Sequence, residues 1–522
     1  MEPVVSTLAI LGLAIIAFVS NRVPLGVVAI GVSLALFFTG VLTLPEALAG
    51  FGDPTVLFIA ALFVVGEALD ATGVTAWAGQ KVIARAGSKR LSLLLVISLL
   101  VAGLTALISV NGAVAALLPL VVVVASRMGI ASSKLLMPLA FAAHAGSMLL
   151  LTGTPVNIIV SEIATDNGGR PFGFFEFALV GVPLLVGSLA IILLFSNRLL
   201  PTRSGAQMPV DLIRHAQLIR GQYSLDVDTQ VLLGPVRGVT EIVVPPRSPL
   251  IGQRLSLGMT TPSGDLVLLA AKRGTDSVSN GTIRVEMGDV LLLRGAWDDL
   301  ARHTESAEVL VVDAPATLRR SVPLGKGAGR AIVILIAMVA LLATGIVPPA
   351  AAALVAACAL VVTRTVSASR AYQSISWTTV VLVAGMIPLS TAFITTGTAD
   401  VIADHLLAAI GGASPTVALL VLCVLTLVLG QLISNTATVL IVAPVAVAVA
   451  GALDLSVQPF MMALTVVGAA SFLTPIATPA NLMVMSPGGY RFGDYWKLGL
   501  PLALLFLAVA VLYVPLVWPF NP

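Results

Sequence analysis

The sequence predicts an α-helical polytopic membrane protein with an inverted-topology repeat. Each half has a re-entrant hairpin and a broken helix, and a small α/β cytoplasmic insert separates the halves. Three observations predict this fold class: the composition, the placement of charge, and motifs that recur at one spacing. Of 522 residues, 58% are hydrophobic and 10% are charged, whereas soluble proteins carry about 25% charged residues. The composition excludes a soluble enzyme, a disordered chain and a nucleic-acid binder with a basic surface.

Charge divides the chain into three parts. Residues 201–330 hold 28 of the 53 charged side chains, which is the density of a soluble domain, and the rest of the chain is strongly apolar. We therefore predict a membrane repeat over 1–200, a cytoplasmic insert over 201–325 with its clear part at 237–312, and a second membrane repeat over 326–522.

Each predicted repeat contains six apolar runs, most near the roughly 20 residues that a spanning helix needs. In the first repeat the runs cover 4–20, 23–42, 54–72, 91–127, 132–167 and 177–198. In the second they cover 328–344, 346–363, 378–396, 415–452, 457–485 and 498–519. Two runs in each repeat are too long for one crossing and are interrupted by Gly, Pro or Asn. We interpret 91–127 and its counterpart as re-entrant hairpins, so that each repeat crosses five times.

The basic residues predict the orientation. With the insert in the cytoplasm, only Arg170 among the basic residues of the membrane repeats falls outside, as the positive-inside rule requires. We therefore expect a multi-pass protein of the cell (inner) membrane with both termini outside.

The two repeats share motifs at one constant separation along the chain. Asn111 recurs as Asn435, and Thr154-Pro155 recurs as Thr478-Pro479 at the same separation. We call the separation between Asn111 and Asn435 the repeat offset. Because five crossings is an odd number, the second copy enters from the opposite side of the membrane. Inverted repeats of this kind are typical of secondary transporters.

Two interruptions in each repeat carry the candidate chemistry. They are Ser109–Gly112 and Thr152–Asn157 in the first repeat, and Ser434–Thr436 and Thr474–Asn481 in the second. Non-helical backbone at membrane depth occurs only where protein buries it or where it lines a wet cavity. Such breaks expose carbonyl groups that coordinate small cations and helix N-termini that attract anions; simple proline kinks with local caps are the alternative. Because no Lys or Arg faces these breaks, an anionic substrate would need cations from solution, which favours cation-coupled symport.

Two further polar residues lie in apolar runs. Glu67 is a candidate proton carrier, or else a residue that is protonated or hydrogen-bonded to a neighbouring helix. His144 lies just before the first break, and we favour a packing role for it over a place in the cavity lining.

The segment Ile433-Ser434-Asn435-Thr436-Ala437-Thr438 resembles the tip motif of the divalent anion/sodium symporter family, within the ion-transporter superfamily. The stretches Thr474–Val484 and Pro487–Asp494 are similar to its sulfate-transporter-like branch. In that family each hairpin tip and its facing break form a sodium site, and substrate binds between the tips. At the first tip this chain departs from the pattern, because Val110 stands where Ser is expected and Gly112 where Thr is expected. The stoichiometry is therefore open.

The resemblance assigns residues to two sets of ligands. The substrate set is Asn111, Gly112, Thr154, Pro155, Asn435, Thr436, Thr478 and Pro479. The sodium set is Ser109, Asn111, Thr152, Gly153, Ser434, Asn435, Thr474 and Ala477.

The insert resembles the C-terminal domain of TrkA-type potassium-conductance regulators. Strands are expected at Val239–Val244, Asp265–Arg273 and Asp289–Arg294, and a short helix at Leu250–Leu255. The resemblance implies a homodimer and a small regulatory ligand at the insert; a passive module is the alternative.

We therefore expect a secondary active transporter that takes up a small divalent anion, sulfate or a dicarboxylate, with sodium, by alternating access. The alternatives are a cation/proton antiporter or an arsenite-type transporter of the same superfamily, or a regulated ion channel. The sequence has no enzyme motif, so we expect no enzymatic activity, no organic cofactor and no nucleic-acid partner. The expected partners are the anion and the lipid bilayer.

Overall fold

A computed structural model describes most of the chain. The described residues are 3–20, 22–83, 89–203, 237–261, 264–274, 276–277, 282–304, 309–312, 327–409 and 414–521. The predicted insert residues 204–236 and 313–325 therefore lie outside the described part.

The apolar runs of the first repeat form helices, because a helix satisfies its backbone polar groups internally where water is absent. The helices of this repeat are α1 (Pro3–Ser20), α2 (Leu25–Phe38), α3 (Leu44–Leu48), α4 (Pro54–Ala71), α5 (Val74–Ile83), α6 (Arg90–Leu107), α7 (Val110–Arg127), α8 (Leu136–Gly146), α9 (Pro155–Asp166) and α10 (Ala178–Leu199). Of these, α3 and α5 lie between the apolar runs. Each of the two long runs divides into two helices, at the interruptions that the sequence marks.

One helix, α11 (Trp297–Thr304), belongs to the insert. The helices of the second repeat are α12 (Ala328–Thr344), α13 (Pro349–Val362), α14 (Ala368–Ser374), α15 (Trp377–Thr395), α16 (Thr398–Ala409), α17 (Pro415–Leu429), α18 (Asn435–Ala452), α19 (Val457–Gly468), α20 (Pro479–Met485), α21 (Tyr495–Ala508) and α22 (Val514–Val517). A π-helical turn, Val509–Tyr513, joins α21 to α22.

The repeat appears in the helix boundaries as well as in the motifs. Helices α2 and α13 begin one repeat offset apart, at Leu25 and Pro349, and so do α9 and α20, at Pro155 and Pro479. The turn after α2 contains Gly40 with φ +71°, and Arg364 at the equivalent position of the second repeat has φ +54°. The two copies therefore share backbone conformation even where their residues differ. The inverted orientation of the second copy stays a prediction.

Seven helical stretches among the described residues are long and apolar enough to cross a membrane. They are Pro3–Ser20, Leu44–Ala71, Arg90–Leu107, Ala178–Leu199, Trp377–Thr395, Asn435–Ala452 and Phe492–Val517. Shorter apolar helices accompany them, among them α17 and α19. The chain is thus a mostly helical, polytopic membrane protein with a small β-sheet region.

The chain divides into two compact units. One comprises Met1–Ala68, Val82–Gln207 and Val333–Pro522, and the other comprises Leu69–Lys81 and Met208–Ile332.

The second unit contains the β-structure. Its strands are β1 (Arg237–Val243), β2 (Arg254–Ser256), β3 (Leu266–Arg273), β4 (Asp276–Ser277), β5 (Thr282–Arg284), β6 (Val290–Ala296) and β7 (Leu310–Val311). Five of them form an antiparallel sheet in the order β4-β3-β6-β1-β7, and β2 pairs with β5. The three predicted strands correspond to β1, β3 and β6.

The predicted short helix over Leu250–Leu255 is wrong, because this segment forms turns that lead into β2. Gly252 has φ +85°, which a helix does not allow, and its N–H donates to the carbonyl oxygen of Val285 at 2.8 Å. Pairing with the rest of the insert overrides the local helical pattern here.

Candidate functional site

The two hairpin tips begin their second helices with the same device. Ser109 precedes α7, and its Oγ accepts from the N–H of Gly112 at 3.2 Å; Ser434 precedes α18, and its Oγ accepts from the N–H of Ala437 at 3.3 Å. These serines satisfy N–H groups that a helix start leaves without partners.

The caps shift the correspondence between the tips by one position. The repeat offset aligns Asn111 with Asn435. Ser434 lies one position further along the chain than this offset would place the counterpart of Ser109. Asn111 is consequently the second residue of α7, whereas Asn435 is the first residue of α18. The first tip therefore keeps a capping hydroxyl, on Ser109, although Val110 lacks one.

The breaks also begin their following helices in matching ways. Thr154 and Thr478 are both extended, and each is followed by a proline that starts the helix. Thr154 Oγ1 accepts from the N–H of Val156 at 3.4 Å, and Thr478 Oγ1 accepts from the N–H of Asn481 at 3.3 Å. Proline at the first helical position needs no N–H partner, so both breaks form without an orphaned donor there.

A buried asparagine spans each break. Asn157 Nδ2 donates to the carbonyl oxygens of Ser147 and Leu150, both at 2.9 Å. We refer to Asn157 and its counterpart Asn481 as the bridging asparagines, and both are fully buried. Two carbonyl acceptors fix the orientation of each amide.

Asn481 makes the corresponding bonds in the second break. Its Nδ2 donates to the carbonyl oxygens of Ser471 at 2.7 Å and Thr474 at 3.1 Å. Each acceptor lies one repeat offset after its counterpart in the first break. The bridging role of these asparagines depends on the fold, and the sequence motifs alone did not predict it.

The second tip lies directly against the second break. Ser471 Oγ is hydrogen-bonded to Asn435 Oδ1. Gln431, which ends the first arm of the hairpin, accepts from the N–H of Leu473 at 2.9 Å and donates to the carbonyl oxygen of Ala470 at 3.1 Å. Thr474 Oγ1 donates to the carbonyl oxygen of Gln431 at 3.1 Å. The structure thus brings Asn435 and Thr474 of the predicted sets into one cluster.

Sequence reasoning missed Gln431 in this cluster. A signal was available, because an amide side chain one turn before a hairpin tip, inside an apolar run, is unusual at membrane depth. The first tip and break meet through a different contact, in which Thr152 Oγ1 donates to the carbonyl oxygen of Ala106 at 2.9 Å.

Glu67 and His144 are the two candidates outside the tips and breaks. Glu67 lies on α4, which carries no tip or break residue, and its side chain is half-buried. His144, for which we favoured a packing role, contacts the second break: its Nε2 lies 3.3 Å from Thr478 Oγ1.

A closely packed glycine supports each break from behind. A methyl group on Gly181 would lie 2.2 Å from the carbonyl oxygen of Met148, and one on Gly499 would lie 2.2 Å from that of Phe472. Only glycine allows α10 and α21 to approach the backbone of the breaks this closely.

A polar clasp holds the segment that leaves the first repeat. Arg203 pairs with Asp494 at 2.9 Å, and its N–H donates to Ser133 Oγ at 3.0 Å. Tyr490 donates to the carbonyl oxygen of Ser133 and accepts from the N–H of Met137. The clasp thus joins the start of α8 to the turn after α20.

Arg170, the one basic residue of the membrane repeats that the predicted orientation places outside, is neutralised. Arg170 forms a two-pronged ion pair with Glu176, with distances of 2.7 and 2.6 Å. Burial would raise the pKa of Glu176, but hydrogen bonds from Arg170, the N–H of Gly173 and Trp518 hold it below its ordinary value. Arg170 therefore adds no net charge to that end of the molecule.

Comparison with known proteins gives consistent similarities. The family model described as citrate transporter matches residues 15–467 and 401–521. The chain is 31% identical, over an alignment of 604 positions, to the uncharacterized transporter YfbS of Escherichia coli strain K12, covering 98% of this chain and 99% of that protein. It is 25% identical over 304 positions to sodium/sulfate cotransporter 1 of Chlamydomonas reinhardtii, covering 56% of this chain and 31% of that protein.

One solved structure shares the fold along the whole chain. The YdaH transporter of Alcanivorax borkumensis, whose crystal structure is described as having an unusual topology, superposes with a TM-score of 0.53 at 14% identity and covers 100% of both chains.

Proposed function

Because the chain belongs to the citrate transporter family, and is therefore a secondary transporter and not an enzyme, we propose that it carries a small divalent anion together with sodium. Sulfate and dicarboxylates are the candidate anions, and alternating access is the proposed mechanism. The protein is multi-pass, so its partners are the lipid bilayer and a small solute.

The contact between the second tip and the second break carries this proposal. Asn435, Ser471, Gln431 and Thr474 bring side-chain and backbone oxygens together at a place where two helices are interrupted. Neutral oxygens suit sodium. No Lys or Arg stands among the tip and break residues, so a divalent anion there would depend on bound cations for compensation.

The residue assignments follow the two tips and breaks. We propose Ser434, Asn435, Thr474 and Ala477 as sodium ligands in the second repeat, and Ser109, Asn111, Thr152 and Gly153 as sodium ligands in the first. The anion would contact Asn111, Gly112, Thr154 and Pro155 from one side and Asn435, Thr436, Thr478 and Pro479 from the other. The similarity to a sodium/sulfate cotransporter supports sodium and sulfate as the first pair to test.

One observation favours a second candidate, proton-coupled exchange. Glu67 is a half-buried carboxyl group on an apolar helix, and carboxyl groups at membrane depth are typical proton carriers. The regulatory role of the insert and the homodimer remain predictions within either candidate.

Uptake by proteoliposomes tests the proposal. We expect radiolabelled sulfate or succinate to accumulate with an inward sodium gradient and not with choline. Equal uptake in the sodium and choline buffers would contradict sodium coupling. Uptake that is driven by a pH gradient and abolished by Glu67→Gln would favour the second candidate.

The Asn435→Ala substitution tests the site itself. We expect uptake to fall at least 20-fold, an estimate that assumes loss of one or two polar contacts in a dry site (about 2 kcal/mol). Asn197→Ala is the matched control, because its side chain is exposed at the end of α10. Uptake near the wild-type rate by Asn435→Ala would contradict the site assignment.

A further inference from the structure

The two breaks face different residues of the opposite repeat. His144 on α8, in the first repeat, faces the second break, while Gly468 on α19 occupies the equivalent position of the second repeat. The neighbouring positions Ser147 and Ser471 correspond in their contacts with the bridging asparagines. His144 and Gly468 are therefore equivalent positions at which the two repeats differ, although the bridging asparagines beside them make matching contacts.

His144 has a specific polar environment. It is 1% exposed, its Nε2 lies 3.3 Å from Thr478 Oγ1, and Asn481 is a polar neighbour of its ring. The ring also meets Phe472 edge-on, with centroids 5.7 Å apart. A histidine buried this deeply is held in one place, because packing and hydrogen bonding both constrain it.

The corresponding position cannot offer this contact to the first break. A methyl group on Gly468 would lie 2.9 Å from Val439 and 3.9 Å from Val156, which belongs to the first break. At this position there is thus no side chain in place of the imidazole, and the neighbouring groups are apolar. Thr154 caps its helix through a 3.4 Å bond from Val156 and has no histidine neighbour at the matching position.

The contact chain from His144 reaches backbone groups on both sides of the second break. Thr478 accepts from the N–H of Asn481, and Asn481 holds the carbonyl groups of Ser471 and Thr474. Any shift of Thr478 would therefore move the bridging asparagine and the carbonyl groups that it positions.

We infer that His144 is a positioning residue for the second break and that it makes this break a tighter sodium site than the first. The inference rests on the proposed sodium coupling and goes beyond it, because it assigns unequal affinities to two breaks of similar backbone. The first break, which faces Gly468, is then the weaker site.

Binding of radioactive sodium to the purified full-length protein tests this directly, by scintillation proximity in detergent without any anion. We expect His144→Phe, which keeps an aromatic ring against Phe472, to weaken the tighter sodium affinity about tenfold, the effect of one hydrogen bond of about 1.4 kcal/mol. His144→Gln restores a donor or acceptor toward Thr478 and should remain within about threefold of the wild type. His144→Leu provides a second apolar variant should the phenylalanine variant fold poorly.

A double-variant comparison separates positioning from general damage. If His144 acts through Thr478, adding His144→Phe to Thr478→Val should weaken sodium binding no further than Thr478→Val does alone. Additive losses, or a wild-type sodium affinity in both His144→Phe and His144→Leu, would overturn the inference while leaving sodium coupling intact. Absence of sodium binding by the wild type would instead contradict the proposed coupling, and the inference with it.

Discussion

The bridging asparagines satisfy backbone carbonyl groups at the breaks, as regular helical hydrogen bonds do elsewhere in the chain. At each break, carbonyl groups lose their helical partners, and leaving a buried carbonyl group without a donor costs about 1–3 kcal/mol. One amide nitrogen serves two such groups, Ser147 and Leu150 in the first break and Ser471 and Thr474 in the second. A break can therefore persist at a fixed place in a dry environment.

Replacement of a bridging amide by a carboxyl group should destabilise the break. In Asn157→Asp and Asn481→Asp the NH₂ group becomes an oxygen that faces two carbonyl oxygens, so we expect a loss of about 3 kcal/mol in the free energy of unfolding. Thermal unfolding of the purified protein, followed by size-exclusion chromatography, measures the loss. Asn197→Asp on the exposed end of α10 is the control, and equal melting temperatures for all three variants would contradict the bridging role.

A second residue-scale prediction concerns pH and the insert. Asp289 is buried and receives hydrogen bonds from Arg273 Nε at 2.7 Å and from the N–H of Glu286 at 2.8 Å. Burial would raise the pKa of Asp289, but these bonds hold it below its ordinary value. The carboxylate therefore stabilises the insert fully above about pH 4 and loses this effect as the pH falls through the folded pKa.

Thermal unfolding of the full chain checks this dependence. It is followed by the fluorescence of Trp297, after the other four of the five tryptophans have been replaced. We expect Asp289→Asn to lower the stability of the insert by about 2 kcal/mol at pH 7 and to show a smaller further decrease between pH 5 and pH 3 than the wild type. Parallel pH profiles for the two proteins would show that Asp289 is not the responsible group.

At the scale of the helices, close packing behind the breaks gives the sharpest prediction. In Gly181→Ala the new methyl group would meet backbone atoms of Met148, which cannot rotate away, so we expect at least about 3 kcal/mol of destabilisation. Gly103→Ala on α6 is the matched control, because nothing lies within 4 Å of its added methyl group. Equal yield and melting temperature of the two variants would contradict the close approach.

Most elements could be predicted from the sequence, and the contacts between them could not. Length and apolar composition locate the helices, and Gly, Pro and Asn locate the breaks, because both signals are local. Gln431 contacts Leu473, 42 residues away, and His144 contacts Thr478, 334 residues away. Sequence periodicity contains no information about pairs so far apart along the chain. The packing role expected for His144 therefore did not include its contact with the second repeat.

The short helix expected at Leu250–Leu255 failed for a related reason. The segment has a helical pattern, but the left-handed conformation of Gly252 and its bond to Val285 place it in a turn. In the tips, likewise, an alignment on Asn111 and Asn435 hides the common serine caps, which only backbone geometry reveals.

At the scale of the whole molecule, the orientation in the membrane is open to direct test. The positive-inside rule places Asp166 outside and the insert inside. In a chain with Cys358 and Cys423 replaced by serine, an impermeant maleimide added to intact cells should label Asp166→Cys and spare Arg254→Cys, and both positions are exposed. The reverse labelling pattern would invert the predicted topology.

The paired turns at Gly40 and Arg364 bear on how the chain arose. A left-handed backbone suits glycine and costs other residues about 1 kcal/mol, yet the second copy keeps this conformation with arginine in place. Duplication of an ancestral half-length gene, followed by divergence, leaves this signature, because equivalent backbone hydrogen bonds preserve the path of the chain in both turns while the residue drifts. Ancestral reconstruction of the single half should therefore restore glycine at this turn.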